Sequence, residues 1–498
     1  MAKTLGSLAA LIEGAEIIGN SETVIKDIEH DSRKATEGTL FVCMVGAHVD
    51  GHDFIPQAKE KGAVAIITDN ENAFMPAGMD VLLVPNLKEA LKIIVPFFYD
   101  YPAQRMRIIG ITGTNGKTSI SYMTRAMLRK MGFRVGLIGT IQIMIEDEVL
   151  PIHNTTPDVV ELQHTMAMML EKNMDYVVME VSSHALDQDR VAGVEFDTVV
   201  FTNLTQDHLD YHKTLENYKL AKAKLFDMVG RPDNVKNGKT AVVNIDDEAG
   251  RVMLEHANCR HITYGIENDA SLKAENIQVL ASGAKFDIKH QFGALPLDLK
   301  ITGIFNVYNV MAAAGAAMAE GVPLPFIKAA LEEFSGVPGR FELVRGGQDF
   351  AVIVDYAHTP DGLENILHTA RKICDNRIIT VFGCGGDRDR TKRPIMGRIA
   401  AELSDVIVAT SDNPRTEDPA FILSQVVEGV EQAAGDKPHE AVIDRREAIF
   451  RAVEIAEKGD IVVIAGKGHE DYQILKDKTI HFDDKEVAAE AIKAKMGE

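Results

Sequence analysis

Short apolar runs alternate with longer amphipathic stretches along this chain, and each pairing predicts a strand followed by a helix. Runs at 40–45, 63–68 and 81–84, then a helical pattern at 87–98, predict a small α/β unit at the start. Tyr101-Pro102 breaks that pattern and marks a linker. A second unit opens with the run 106–111. It continues through strands at 176–179, 198–202 and 240–244, alternating with helices to about Gly336. Ser335-Gly336-Val337-Pro338-Gly339 marks the next boundary, since Pro and Gly leave little room for regular structure. Beyond it, runs at 351–354, 378–382, 406–409 and 461–464 are separated by helical stretches such as 421–433 and 448–457. Each run ends in a polar tip: DYAHTP, GCGGDRDR, TSDNPR and AGKGHE. Such alternation predicts a parallel sheet, whose ligands sit beyond the carboxyl ends of its strands, so all four tips line one crevice.

Composition narrows this picture. A chain of 498 residues holds about three domains at roughly 150 residues each. It is 46 % hydrophobic and 26 % charged, so each domain can bury a core. No apolar run approaches the roughly 20 residues that cross a bilayer, and no signal-peptide layout is present. Cys43, Cys259, Cys374 and Cys384 are far apart, which suits reduced cytoplasmic thiols better than a disulfide frame or a zinc site. The net charge of −21 argues against a general nucleic-acid binder. Anionic substrates then need local cations to capture them.

The sharpest chemical signal is IIGITGTNGKTS, residues 108–119. A strand runs into a glycine-rich turn (Gly113, Thr114, Asn115, Gly116), and Lys117, Thr118 and Ser119 open a helix. An apolar stripe at Ile120, Met123, Met127, Leu128 and Met131 follows. Backbone N–H groups and the helix N-terminus face a polyphosphate there, Lys117 adds a point charge, and the Thr118 hydroxyl can hold Mg²⁺. The usual first glycine of this pattern is replaced by Ile111. The expected class is therefore α/β in three domains. These are a small N-terminal α/β domain (1–100), a central P-loop-type ATPase domain of mainly parallel sheet (101–337), and a C-terminal Rossmann-like domain (338–498).

Other carboxylates and cations gather at predicted strand ends. YVVME ends in Glu180, placed beside the phosphate loop to hold Mg²⁺. The next strand leads into TNLTQDHLDYH, whose His208 is a metal candidate, while Asp210, Tyr211 and His212 are expected to hold the loop together. In GGDRDRTKRP, Arg388 sits at a strand tip where a guanidinium can grip a carboxylate with two parallel hydrogen bonds. Arg390, Lys392 and Arg393 read as a solvated basic face. Arg415 is a second fork and Glu470 a negative counterpart, a set suited to an amino acid.

Together these strings resemble the Mur ligase family, ATP-dependent amide-forming enzymes of peptidoglycan synthesis. The resemblance runs from DSR (31–33) to GKGHE and includes NTTPD (154–158), MEVSSHAL, FNVYN (305–309), GVPGRFE (336–342) and DYAHTPD. Within the family it points to the branch that adds meso-diaminopimelate to UDP-N-acetylmuramoyl-L-alanyl-D-glutamate, because lysine-adding members lack the arginine of DNPR. It implies an acyl-phosphate intermediate, and it implies Mg²⁺ (two ions) held by Thr118, Glu180, His208 and Lys222, the last carbamylated by CO₂. Lys219 and Lys224 are nearby decoys. By the same resemblance, Ser32 meets the uridine part, and Thr155, Thr156, Ser182, Gln188 and Arg190 the muramoyl-dipeptide. Asn309, Arg340 and Asp355 join the loop in binding ATP. Arg388, Asp412, Asn413, Pro414, Arg415, Gly466 and Glu470 bind diaminopimelate. The chain is expected to be a cytoplasmic monomer, with no nucleic-acid partner and no membrane insertion, whose C-terminal domain swings near Gly336 to Gly339. The alternatives are a ligase with another acceptor (lysine, or a folylpolyglutamate synthetase) and a nucleotide-regulated binding module.

Overall fold

The structure is a computed structural model describing residues 3–46, 49–72, 78–152, 154–280 and 282–497. The chain forms two compact units, Met1–Ser271 with Ala312–Pro323, and Leu272–Met311 with Leu324–Glu498.

The first unit begins with a sheet of β1 (Glu16–Ile18), β2 (Asp27–Glu29), β3 (Thr39–Val42), β4 (Ala65–Thr68) and β5 (Asp80–Leu83). Their order is β1-β5-β4-β3-β2, parallel except for β1. Side chains alternate across β3: Leu40 and Val42 pack with helix α1 (Leu87–Phe98), while Phe41 and Cys43 face a second apolar layer. With both faces covered, such strands read as unbroken apolar runs. The Asn86 side chain caps α1 by accepting the Glu89 N–H. After α1, Asp100 and Tyr101 both take positive φ, and a short helix over Pro102–Arg105 follows.

A parallel sheet follows, of β6 (Arg107–Thr112), β7 (Val135–Ile138), β8 (Tyr176–Glu180), β9 (Thr198–Phe201), β10 (Thr240–Asn244) and β11 (Arg260–Gly265). The order is β7-β8-β6-β9-β10-β11. The chain leaves β6 toward one side and later returns to its other side, so β6 ends at a topological switch point, where such sheets bind ligands. Register pairs Glu180 with Ile111 and Phe201 with Thr112, so three strand ends meet at one rim. Helix α2 (Lys117–Lys130) buries Ile120, Met123, Met127 and Leu128. Met131 departs from the expected stripe. The helix stops at Lys130, and Met131, as its C-cap, is 38 % exposed.

The second unit corrects the strand–helix alternation expected up to Gly336. Residues 272–299 instead form an antiparallel meander of β12 (Leu272–Leu280), β13 (Gly283–His290) and β14 (Gly293–Leu299). Ala284, Phe286, Ile288 and His290 are buried while Lys285 and Lys289 are exposed, the period of a half-buried strand. The rest is a doubly wound sheet of β15 (Ala351–Asp355), β16 (Ile378–Cys384), β17 (Val406–Ser411), β18 (His439–Val442) and β19 (Ile461–Ala465). Its order is β15-β19-β16-β17-β18, all parallel, so the tips that follow β15, β16, β17 and β19 lie at one edge. Short, half-exposed β18 was not anticipated.

Candidate active site

Backbone constraints build the loop after β6. Gly113 has φ 147°, and a Cβ there would lie 1.8 Å from Thr202 Oγ1. Gly116, at φ 88°, starts α2 without a side-chain cap, which leaves the helix N-terminus to an anion. The next strand's exit braces the loop: Asn203 O accepts the Thr114 N–H at 2.8 Å, and Thr202 Oγ1 donates to Asn115 O at 2.7 Å. Lys117 folds back across it, its Nζ donating to Gly113 O (3.0 Å) and Thr114 O (2.8 Å). Thr118 is buried on the first turn, followed by half-buried Ser119.

At the end of β8 the Glu180 carboxylate is fully buried. One oxygen accepts the Thr140 N–H at 3.0 Å and the other accepts the Thr140 hydroxyl at 2.9 Å. Gly139 makes room, since a Cβ there would lie 2.4 Å from Glu180 Oε1. Thr140 Oγ1 also lies 3.1 Å from Thr155 Oγ1. Thr156 donates to Glu180 O at 2.9 Å and accepts the Ser182 N–H at 3.0 Å. Arg190 donates to Thr156 O at 3.1 Å and to Gln188 Oε1 at 2.7 Å. Thr155, Thr156, Ser182, Gln188 and Arg190 thus form one network with Glu180. Thr140, which holds the Glu180 carboxylate, escaped the sequence reading because it belongs to no motif.

Lys222 approaches from helix α3 (Leu215–Gly230). It is 1 % exposed, its Nζ donates to Gly113 O at 2.8 Å, and it sits 4.3 Å over the Tyr218 ring. Burial, reinforced by the Lys117 charge, pushes this amine well below the ordinary lysine range. The decoys differ: Lys219 pairs with Glu216 at 2.6 Å and Lys224 with Asp187 at 3.0 Å. His208, at φ 54°, is 46 % exposed beside Asp207 and stands edge-on to His184. Tyr211 donates to Asp187 at 3.0 Å and His212 lies 2.9 Å from Ser183 Oγ, the bracing expected of that loop. The side chain of Asp210 lies outside the described residues.

Ser32 donates to Gln57 Oε1 at 2.6 Å in an N-terminal cleft of about 570 Å³ that also exposes Met44 and Phe54. The Arg33 guanidinium beside Asp31 holds its carboxyl down to about 2.

In the second unit, Asn309 lies buried on helix Ile304–Ala319. Asp355 Oδ2 accepts the Phe341 N–H at 2.7 Å, and desolvation raises its pKa against the pull of Arg340. Arg340 stacks 5.3 Å over Tyr356, and its buried Nε has no hydrogen-bond partner among the described residues. At the tips, Asp412, Asn413 and Pro414 are buried. Arg415, at φ 52°, donates to Gly386 O at 3.0 Å. Asn413 Nδ2 donates to Glu470 Oε2 at 2.9 Å. Gly466 lets the chain pass Asp412, whose Oδ2 would lie 2.7 Å from a Cβ. Arg388 is exposed, donating to Asp387 O at 3.1 Å.

One reading of the basic tip is corrected. Arg393 is no solvated cation. It is fully buried, paired with Glu417 at 2.9 Å and donating to Gln425 at 2.7 Å, and it helps hold Glu417 down to about 2. Arg390 joins the same glutamate at 3.1 Å, and Lys392 donates to His358 O at 2.7 Å.

Known proteins resemble this chain from end to end. Three family descriptions match: "Mur ligase family, catalytic domain" over 24–99, "Mur ligase middle domain" over 111–317, and "Mur ligase, glutamate ligase domain" over 339–468. A Clostridium botulinum UDP-N-acetylmuramoyl-L-alanyl-D-glutamate--2,6-diaminopimelate ligase is 48 % identical over 96 % of this chain and 97 % of its own. The Bacillus cereus protein of that name is 46 % identical over 99 % of each. A solved structure of a ligase so named superposes with TM-score 0.71 at 32 % identity, covering 100 % of both chains. MurF from Acinetobacter baumannii, 21 % identical with TM-score 0.67 over 94 % of this chain and 96 % of its own, shares the fold. Family matches across both units, and relatives nearly half identical from end to end, make this chain a member of the Mur ligase family.

Proposed function

We propose that this chain joins meso-diaminopimelate to the D-glutamate side-chain carboxylate of UDP-N-acetylmuramoyl-L-alanyl-D-glutamate, converting ATP to ADP and phosphate. One observation carries the choice of acceptor. Asp412, Asn413, Arg415 and Glu470 gather carboxylates, an amide and a guanidinium at neighbouring strand tips, the complement of an amino acid's charged end. A free carboxylate is a poor acyl donor. Its oxygen therefore attacks the γ-phosphorus, the bond to ADP breaks, and an acyl phosphate forms. The diaminopimelate amine then attacks the carbonyl carbon, and the tetrahedral adduct expels phosphate.

The chain's part is to hold these groups in place before charge develops. Gly113 to Thr118 cradle the phosphates, with Lys117 set against the transferring phosphoryl. Arg340 offers its unpartnered Nε, alongside Asp355 and Asn309, to the nucleoside end. Thr155, Thr156, Ser182, Gln188 and Arg190 bind the muramoyl-dipeptide, and Ser32 the uridine. Thr118, Glu180, His208 and carbamylated Lys222 would hold two Mg²⁺ ions. Buried Thr118 and Glu180 offer hydroxyl and carboxylate oxygens, the donors Mg²⁺ prefers. Bound Mg²⁺ supplies neutralisation of the phosphoryl oxygens. The depressed basicity of the Lys222 amine favours carbamylation: once the amine has lost its proton to solvent, its lone pair attacks the CO₂ carbon, an N–C bond forms, one C=O pair moves to oxygen, and a second N–H proton leaves to solvent. No helix among the described residues is long and apolar enough to cross a membrane. The reading is of a cytoplasmic monomer.

The test is phosphate release from ATP with the UDP-dipeptide and either meso-diaminopimelate or L-lysine, with the product weighed. Turnover with diaminopimelate alone is the expected result. Turnover with lysine alone keeps the ligase and overturns the acceptor, and turnover with neither favours a nucleotide-regulated binding module.

A further inference from the structure

The strand tip after β19 carries a cation that none of the roles above uses. Lys467 lies between Gly466 and Gly468, both at positive φ (126° and 55°). These flanking glycines let the backbone turn a lysine inward, where its side chain is 0 % exposed. A fully buried ammonium is costly unless its N–H groups and its charge are both met. Here Nζ donates to Glu470 Oε2 at 3.2 Å and Asn413 Oδ1 at 3.3 Å, and it lies 5.3 Å from the Tyr472 ring centroid. Asn413 Oδ1 also accepts the Ile474 N–H at 2.9 Å, and Asn413 Nδ2 donates to Glu470. The three side chains close a triangle in which Lys467 fixes both which way the amide faces and where the carboxylate sits.

Charge gives this triangle a consequence for selectivity. Asp387, Asp412 and Glu470 place three negative charges at the tips, and Arg388, Arg415 and Lys467 place three positive ones. Arg445, buried beneath, is cancelled by Asp484 at 2.6 Å. A balanced pocket favours an end group that is itself balanced. The distal end of diaminopimelate carries an ammonium and a carboxylate, whereas that of lysine carries only an ammonium.

We propose that Lys467 is a positioning and specificity-determining residue: it holds Asn413 and Glu470 and balances the pocket so that a zwitterionic end is preferred to a bare ammonium. This rests on the diaminopimelate-ligase reading above. The test is steady-state kinetics of wild type, K467M and K467R with meso-diaminopimelate and L-lysine, each substrate varied in turn. In K467M, kcat/KM for diaminopimelate should fall on the order of tenfold to a hundredfold, chiefly through KM. KM for ATP should stay within about twofold, as expected of a separate site. The diaminopimelate-to-lysine preference should drop by about tenfold, because the uncovered negative charge favours an ammonium. K467R keeps the charge and should keep that preference within about threefold. Equal losses for both amines, or an unchanged ratio, overturn the proposal. Should K467M lose its cooperative thermal transition, K467R decides: a retained preference supports the proposal and a lost one overturns it. Wild-type turnover with neither amine removes the parent reading and this inference together.

Discussion

Two residues in this chain are defined by what surrounds them rather than by their type. Arg415 is held at its strand tip by its bonds to Gly386 O and, through its N–H, Ile474 O. Arg415→Ala should therefore lower kcat/KM for diaminopimelate by about 2–4 kcal/mol, the cost of unpairing a charged hydrogen bond, and leave KM for ATP in place. Unchanged kinetics would remove it from the acceptor site. Lys222 makes a prediction about pH. Its folded-state pKa is depressed by burial, so the unfolded chain binds the extra proton between the folded pKa and the ordinary lysine value. Stability is then lost as pH falls through that window and regained as pH rises toward the ordinary value. Lys222→Met should abolish turnover in bicarbonate-containing buffer, yet in CO₂-free buffer raise the melting temperature over wild type at neutral pH, by a margin that narrows on alkalinisation. A margin constant with pH would mean that Lys222 is not buried as a neutral amine. Motifs made Arg415 legible in the sequence. By contrast, the burial of Arg393 and the grip of Thr140 on Glu180 were hidden, because each depends on partners far along the chain, Glu417 and Gln425 for one, Glu180 for the other.

Strands buried on both faces announced themselves as apolar runs: β4, β8, β9, β16 and β19 lie within a residue or two of where those runs predicted them, and β3 stops three residues short, at Val42. The meander did not, although its signal was present. Ala284, Phe286 and Ile288 alternate with polar residues, and Gly283 and Gly293 punctuate the turns. Its half-polar strands lacked the apolar runs that stood out elsewhere. The phosphate loop shows the opposite case, an element whose strand, glycine-rich turn and Lys-Thr helix start together indicated its shape. Gly113→Ala combines a strained φ with a Cβ driven into Thr202. It should cost about 1–3 kcal/mol locally and abolish nucleotide binding by calorimetry, with far-ultraviolet circular dichroism unchanged. Retained nucleotide affinity would show that the loop tolerates a different path.

For the molecule as a whole, the net charge of −21 opposes two of the three proposed substrates. ATP and the UDP-dipeptide are polyanions, whereas diaminopimelate, with two carboxylates and two ammoniums, is close to neutral. At roughly 0.01 M salt the screening length is about 30 Å, so a polyanion meets the field of the entire chain. At about 0.15 M it shrinks to about 8 Å, and only charges near the site are felt. Those near the phosphate loop and the dipeptide network include Lys117 and Arg190. Raising salt across this range, with Mg²⁺ held saturating, should lower KM for both anionic substrates, because long-range repulsion is screened before the short local contacts are. KM for diaminopimelate should stay nearly flat. If all three constants rise together, local ion pairs dominate capture and the overall charge has no steering role. If diaminopimelate alone responds, its pocket is not balanced, and the charge argument built on Asp387, Asp412, Glu470, Arg388, Arg415 and Lys467 fails with it.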